Sequence, residues 1–356
     1  MKDRKEKSIA LIIPTLTSGG AERVMATLAN TFQEKQTIQV HLIVLTGGAL
    51  FYHLHPKVQV YVPSFDYKKY SRIVFTFKII FFLRNTLRLL KPDTCLSFGG
   101  KYNAFVLLSA IGLQTKVFVS DRSRPSISYG AFLNVLNPIV YRLAAGIVAQ
   151  TMRAKDYLYK KTKHRNIIVI GNPIKEFNLP IIAKKKVILN VGRFIATKNQ
   201  ELLVRYFNEI ATDDWELWFL GEGPLWETLK EKAAKSRKAS HIHFFGNQKN
   251  VEDFYAQARI FAFTSISEGF PNALGEAMRA GCACIAYDCE AGPADLIEND
   301  SNGFLIPLGD HEAYKLKLEQ LVKDSTLRSE FSKHAKVTIA AYNEEKIAMD
   351  FLYFLT

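Results

Sequence analysis

Short runs of consecutive apolar residues alternate along the chain with longer stretches whose apolar positions recur every three or four residues. The short runs Ile9–Pro14, Gln39–Leu45, Thr94–Phe98, Lys116–Ser120 and Gly146–Ala149 predict strands buried on both faces, as in a parallel sheet. Between them the spacing predicts helices over Ala21–Phe32, Ile73–Leu90, Asn103–Ile111 and Leu133–Ala144, and a loop with a short strand over His53–Val62. Asn172–Lys186, with Pro173, Pro180 and a lysine run, reads as a linker. A second series follows it. Its strands are Val187–Val191, Glu216–Leu220, Ile242–Phe244, Ile260–Phe263 and Cys284–Tyr287; its helices are Glu201–Ile210, Leu225–Ala234, Val251–Ala256 and Ala273–Ala280. Ala341–Leu355 reads as a last helix, whose Tyr342, Phe351, Tyr353 and Phe354 need a surface to cover.

Repeated strand–helix alternation predicts an α/β protein of two doubly wound, Rossmann-like domains with a cleft between them. The length of 356 residues, more than one core usually serves, agrees. The expected domains are 1–172, 187–340 and a C-terminal helix, 341–356. With 48% apolar and 23% charged residues, the chain is not of a disordered class.

Charge changes the picture more than composition does. Residues 1–175 carry 26 lysines and arginines against 8 acidic residues, a net +18, whereas residues 176–356 carry 21 against 26, a net −5. One basic half on an acidic half suggests a face held against something anionic, such as the cytoplasmic leaflet of a membrane. Ile73–Lys91 combines Phe, Ile and Leu with Lys78, Arg84, Arg88 and Lys91, and Lys68–Tyr70 extends the mixture. Such a helix suits a membrane interface and a lipid pyrophosphate, and equally a helix packed on the sheet with its cations snorkelling outward. Nucleic acid is permitted by the charge, but no recognised module supports it. No apolar run is long enough to span a membrane, and MKDRKEKS followed by the short run IALIIP does not read as a secretory signal. Cys95, Cys282, Cys284 and Cys289 lack metal-ligand spacing and read as buried thiols in a reducing cytosol.

The candidate chemistry lies at strand–helix junctions. SISEGFPNALGEA, 265–277, sets Glu268 and Glu276 eight positions apart around a loop that opens a helix. Gly269 and Pro271 shape the turn, Asn272 is the expected cap and Ala273 the expected first helical residue. Amides around Phe270, Asn272 and Ala273 then seat a phosphate, and Glu276 can accept both ribose hydroxyl hydrogens. Alternatively, Glu276 favours the helix N-terminus and Glu268 is a surface acid. Arg193 and Lys198 follow the first strand of the second series, where two cations can hold a diphosphate; a solvated basic loop is the other reading. Gly221 and Gly223 flank Glu222 after the next strand and let backbone approach a base and ribose, or simply form a turn. Gly19 and Gly20, with Glu22 and Arg23, follow the first strand and fit neither the dinucleotide fingerprint nor a P-loop. No Asp-x-Asp occurs in the chain, so the usual carboxylate seat for a metal-bound diphosphate is missing, and a metal-independent reaction with no metal ligands is expected.

Taken in order, GGAER at 19–23, GRF with Lys198 and Gln200, GEGP at 221–224, FFG at 244–246, SEGFPNALGEAM at 267–278, DCEAGPADLI at 288–297 and NGFLIP at 302–307 resemble glycosyltransferase family 4, whose members have the GT-B fold. The closest resemblance is to bacterial enzymes that extend undecaprenyl-pyrophosphate-linked glycans. It implies a retaining transfer of a hexose or N-acetylhexosamine from a UDP-sugar to a lipid-linked glycan, by a peripheral protein on the inner face of the cytoplasmic membrane. It implies Arg193, Lys198 and Glu268 as catalytic, and Gly19, Gly20, Gly221, Gly223, Gly269, Phe270, Pro271, Asn272, Ala273 and Glu276 as nucleotide-sugar-binding. Acceptor binding falls to Glu22, Arg23, Lys78, Arg84, Arg88, Asp121 and Arg122. Ala283 stands where the family commonly has proline, and Ser120, Asp121 and Arg122 occupy a strand end where some relatives carry a histidine. A transferase acting on lipopolysaccharide core or another non-polyprenyl acceptor, and a non-catalytic nucleotide-sugar-binding subunit, are the alternatives.

Overall fold

The computed structural model describes residues 7–35, 37–46, 50–66, 69–177, 180, 182–210 and 214–356. Met1–Glu6 of the basic start, and Lys68, lie outside the described residues. The chain folds into two compact units, residues 1–173 with 344–356, and residues 174–343.

The first unit runs β1 (Lys7–Ile13), α1 (Gly20–Glu34), β2 (Ile38–Val44), β3 (Gln59–Tyr61), α2 (Arg72–Leu90), β4 (Thr94–Phe98), α3 (Asn103–Ala110), β5 (Lys116–Ser120), α4 (Ala131–Val140), β6 (Gly146–Ala149), α5 (Met152–Thr162) and β7 (Ile167–Val169). Among the described residues its strands form one parallel sheet in the order β3-β2-β1-β4-β5-β6-β7. The central strands are buried on both sides, which is why they read as unbroken apolar runs. The second unit runs β8 (Lys185–Val191), α6 (Gln200–Glu209), β9 (Glu216–Leu220), α7 (Trp226–Ala234), β10 (Ile242–Phe244), α8 (Val251–Gln257), β11 (Ala258–Phe263), α9 (Asn272–Arg279), β12 (Ala283–Asp288), α10 (Pro293–Leu296), β13 (Phe304–Pro307), α11 (His311–Lys323) and α12 (Ser325–Ala340). Its parallel sheet has the order β10-β9-β8-β11-β12-β13.

Residues 174–186 are more than a linker. Ile174 is fully buried in the second core, its amide donates to the Tyr342 carbonyl at 2.8 Å, and Lys184 Nζ donates to the Ala258 carbonyl at 2.7 Å. The last helix, α13 (Glu344–Leu355), belongs to the first unit. There Phe351 meets Phe98 at 6.0 Å between ring centroids and Phe354 meets Phe118 at 5.2 Å. The aromatic residues near this end divide. Tyr342 stays with the second unit, its ring 5.9 Å from that of Phe270, and Tyr353 is exposed. All four cysteines are buried free thiols, and burial pushes Cys289 up to about 12. Among the described residues no helix is long and apolar enough to cross a membrane.

Candidate functional sites in the two units

In the second sheet the chain steps outward from β8 to β10, then returns to the other side of β8 for β11. The loops after β8 and β11 therefore leave in opposite directions, opening a crevice at the carboxyl ends of these strands, where ligands of such sheets bind. Arg193 and Lys198 come from the first loop and Glu268 from the second. Two bonds to backbone carbonyls lock the loops together: the Ile266 amide donates to the Thr197 carbonyl and the Thr264 hydroxyl to the Lys198 carbonyl, both at 2.9 Å. Lys198 Nζ then donates to Glu268 Oε1 at 2.5 Å and lies 5.4 Å from the centroid of the Phe263 ring. The two side chains are only 21% and 11% exposed, so the charge-assisted bond is shielded from water. The lysine and the glutamate, 70 positions apart, thus form one unit of charge balance. Arg193 is exposed, and its carbonyl accepts from Gln200 Nε2 at 3.1 Å, which fixes the loop without engaging the guanidinium.

Gly221 and Gly223 are explained by the protein's own backbone. Gly221 has φ of +119°, and a Cβ there would stand 2.1 Å from the Gly192 carbonyl oxygen. A Cβ on Gly223 would stand 2.5 Å from the Phe194 carbonyl oxygen. The two glycines let this turn lie against the loop that carries Arg193, a bond from the Phe194 amide to the Glu222 carbonyl at 3.0 Å completing the junction.

Helix α9 begins at Asn272, one residue earlier than its sequence suggests, with Pro271 as N-cap and no side-chain cap bond. Asn272 is therefore inside the helix and is not its cap. Its amide donates to the Phe270 carbonyl at 3.0 Å, which turns that N–H into the turn and away from a phosphate seat. Phe270 is buried and anchors the turn that carries Gly269; Leu274, Ala277 and Met278 bury the inner face of α9, while Ala273 is half-buried. Glu276 sits just past the first turn, half-buried, and accepts from the Tyr255 hydroxyl at 3.2 Å. Sequence reasoning missed Tyr255, whose place on α8 carries no signal beyond a core aromatic. It also missed Glu290, which accepts from Ser267 Oγ at 3.2 Å beside Glu268.

Gly19 and Gly20 lie in the first unit, whereas the other proposed nucleotide-sugar contacts lie in the second. Gly19 is extended and Gly20 opens α1; the Gly19 carbonyl accepts from the Tyr52 hydroxyl at 2.8 Å and from the Arg23 amide at 2.9 Å. Glu22 accepts from Thr15 Oγ1 at 3.0 Å. The order of this sheet reverses at β1 and β4, so Gly19–Arg23 and the β4–α3 turn, Gly99–Lys101, share a switch point. That turn went unread, although two glycines directly after a strand are its signal.

Asp121 and Arg122 follow β5. Asp121 Oδ1 accepts from the Tyr129 hydroxyl at 2.5 Å, and burial raises its carboxyl to about 6. Arg122 donates to Asn172 Oδ1, and lies over the Phe98 ring at 4.6 Å; burial lowers its guanidinium to about 9, against the pull of Asp121. Because the folded chain holds the Asp121 proton more tightly than the unfolded chain, this group's contribution is most favourable below about pH 4 and is lost as pH rises to about 6. Asp121→Asn should therefore gain about 2 kcal/mol on the parent between pH 4 and pH 7. Urea unfolding across that range measures it, and a pH-independent difference would contradict the assignment.

Helix α2 has two apolar faces. Ile79, Leu83 and Leu87 are buried in the first core, while Ile73, Phe77 and Phe81 are 71%, 67% and 68% exposed. Its cations are used unequally. Arg84 Nη1 donates to the carbonyls of Ser109 and Ile111 at 3.0 and 2.9 Å and so caps α3; Lys78 lies over the Tyr70 ring at 4.5 Å; Arg88 is exposed. Helix α4 adds Phe132, 70% exposed, with Val135 and Ile139 also exposed. An apolar hollow of about 770 Å³, walled by Ile73, Phe77, Phe105 and Phe132 with Arg72 and Lys101, joins the outer faces of the two helices.

Comparison with known proteins places these features. Residues 18–176 match the family model Glycosyltransferase Family 4, and residues 172–338 match Glycosyl transferases group 1. The chain is 28% identical to an N-acetylgalactosamine-N,N'-diacetylbacillosaminyl-diphospho-undecaprenol 4-alpha-N-acetylgalactosaminyltransferase of Campylobacter jejuni, covering 98% of this chain and 99% of that one. It is 28% identical to the amylovoran biosynthesis glycosyltransferase AmsD of Erwinia amylovora, covering 96% and 97%. The structure of the lipopolysaccharide outer core galactosyltransferase WaaB matches with a TM-score of 0.81 over 98% of each chain at 20% identity, a likeness of fold. The chain belongs to glycosyltransferase family 4, and its two parallel α/β units are those of the GT-B fold.

Proposed function

We propose that this glycosyltransferase moves a hexose or N-acetylhexosamine from a UDP-sugar to a polyprenyl-pyrophosphate-linked glycan, with retention of anomeric configuration and without a metal ion. The observation that carries the donor half is the Lys198–Glu268 pair at the β8–β11 crevice, with Arg193 exposed beside it. Lys198 and Arg193 would take the charge of the departing diphosphate, Glu268 would position the sugar, and Glu276 would hold the ribose. In a retaining displacement the acceptor oxygen bonds to the anomeric carbon on the face from which the phosphate oxygen leaves, and the leaving phosphate takes the acceptor proton. The lack of an Asp-x-Asp sequence supports giving the diphosphate to cations.

The acceptor half is supported by the Campylobacter jejuni relative and by the outer faces of α2 and α4, whose apolar side chains and nearby cations suit an anionic membrane surface. Phe77→Asp with Phe81→Asp should lower capture on anionic liposomes at least about tenfold, since each ring contributes about 1.5–3 kcal/mol when buried. Arg84→Ala should leave capture unchanged and lower stability by about 1–2 kcal/mol through the lost α3 cap. Sedimentation with liposomes and thermal melting separate these effects. Undiminished capture by the double variant would remove the membrane-facing reading.

A further inference from the structure

We infer that Tyr255 is a positioning residue for the donor: its hydroxyl holds Glu276 in the pose from which the carboxylate takes both ribose hydroxyls, and so makes the second unit selective for a ribonucleotide. The inference rests on the ribose role proposed above for Glu276. It adds the group that sets that role and the selectivity that follows from it.

Glu276 is half-buried on α9, and its side chain has several rotatable bonds to order before both oxygens can face two neighbouring hydroxyls. The Tyr255 hydroxyl donates to Glu276 Oε2 at 3.2 Å. The tyrosine is itself held from both ends. It is fully buried, and its ring stacks on Phe177 and tilts against Phe261, each at 5.9 Å between centroids. Its carbonyl accepts from Lys184 Nζ at 3.2 Å and from the Cys282 thiol at 3.5 Å. The phenol oxygen is therefore a fixed point within the second unit, and the more mobile carboxylate is tethered to it. The bond is charge-assisted and takes one of about four acceptor positions on the carboxylate, so it orients the group without filling it. A glutamate ordered during folding, and not on binding, gives higher affinity to a ligand that uses both of its oxygens. A 2′-deoxy ligand offers one hydroxyl fewer and draws little from the fixed pose. A tyrosine hydroxyl that served only the packing of the core would not distinguish the two ligands.

Isothermal titration calorimetry of the full chain with UDP and with 2′-deoxy-UDP tests this. The parent should bind UDP about tenfold more tightly than the deoxy ligand. Tyr255→Phe keeps the ring and its packing; it should weaken UDP about fivefold and 2′-deoxy-UDP by less than about twofold. Glu276→Ala should bring the two ligands to equal affinity, and adding Tyr255→Phe to it should change nothing further. Equal weakening of both ligands by Tyr255→Phe would assign the hydroxyl to packing alone and overturn the inference. Undiminished UDP binding by Tyr255→Phe, with the loss present in Glu276→Ala, would overturn it and leave the ribose role of Glu276 standing. A Glu276→Ala chain that keeps the parent's preference for UDP, or a parent that binds the two ligands equally or not at all, would overturn that role and the inference with it.

Discussion

Lys198→Ala should lower turnover about a hundredfold, the usual consequence of removing one group that stabilises charge on a leaving oxygen. The loss should fall on kcat more than on donor affinity, because negative charge on the diphosphate grows as the glycosidic bond breaks. Lys198 is mostly buried and held by Glu268 at 2.5 Å. The pair therefore predicts a coupling: Glu268→Gln frees the lysine from its counter-charge, and a double-mutant cycle over Lys198 and Glu268 should give non-additive losses. Arg193→Ala, at an exposed position, should cost at least about tenfold in turnover and leave melting unchanged. Glu276→Ala should act differently, weakening UDP-sugar affinity about tenfold with a smaller change in kcat, since ribose contacts are alike in ground and transition states. Steady-state kinetics with titration of UDP measures both. Full turnover in Lys198→Ala would remove the lysine from the chemistry.

Gly221→Ala should destabilise the second unit by about 3 kcal/mol. Two effects add. The backbone at φ of +119° lies where side-chain-bearing residues are strained, and the new methyl would sit 2.1 Å from the carbonyl oxygen of Gly192, a backbone atom that cannot rotate away. The Gly192–Phe194 stretch would shift and carry Arg193 with it, so activity should fall together with the melting temperature. Gly112→Ala is the control: φ is +77°, but nothing lies within 4 Å of the added methyl, so only the strain applies. Differential scanning calorimetry of the two variants separates contact from strain.

The central strands of both sheets were legible because each is a short apolar run with turn residues behind it. Thr94–Phe98, Lys116–Ser120, Gly146–Ala149 and Glu216–Leu220 end where the sequence says they end. Helix α5 was not legible, since only Ala154, Leu158 and Thr162 turn inward among tyrosines and lysines, leaving little apolar stripe. The stretch 311–340 hid two helices because no glycine or proline divides them; Asp324 ends one and caps the next through its side chain. The boundary between the units falls inside the predicted linker, but parts of that stretch pack: Ile174 is buried in the second core and Lys184 Nζ donates to the Ala258 carbonyl, despite the prolines around them. Around the β8–β11 crevice, the sequence singled out Lys198, Glu268 and Glu276 as candidates but not the side chains that meet them. That Lys198 meets Glu268, and that Tyr255 meets Glu276, follows from strand order, which no local pattern contains. The outer face of α4 was missed for a simpler reason: apolar residues in a helix read as core whichever side they face.

The most direct test of the account is product mass from the purified protein incubated with undecaprenyl-pyrophosphate-linked sugar acceptors and a panel of UDP-sugars, with EDTA present. The account predicts an increase of one hexose or N-acetylhexosamine for one of the donors, undiminished by the chelator. No product with any donor while UDP-sugar binding is intact would contradict the proposed acceptor, and product that disappears with EDTA would contradict the metal-independent use of Arg193 and Lys198.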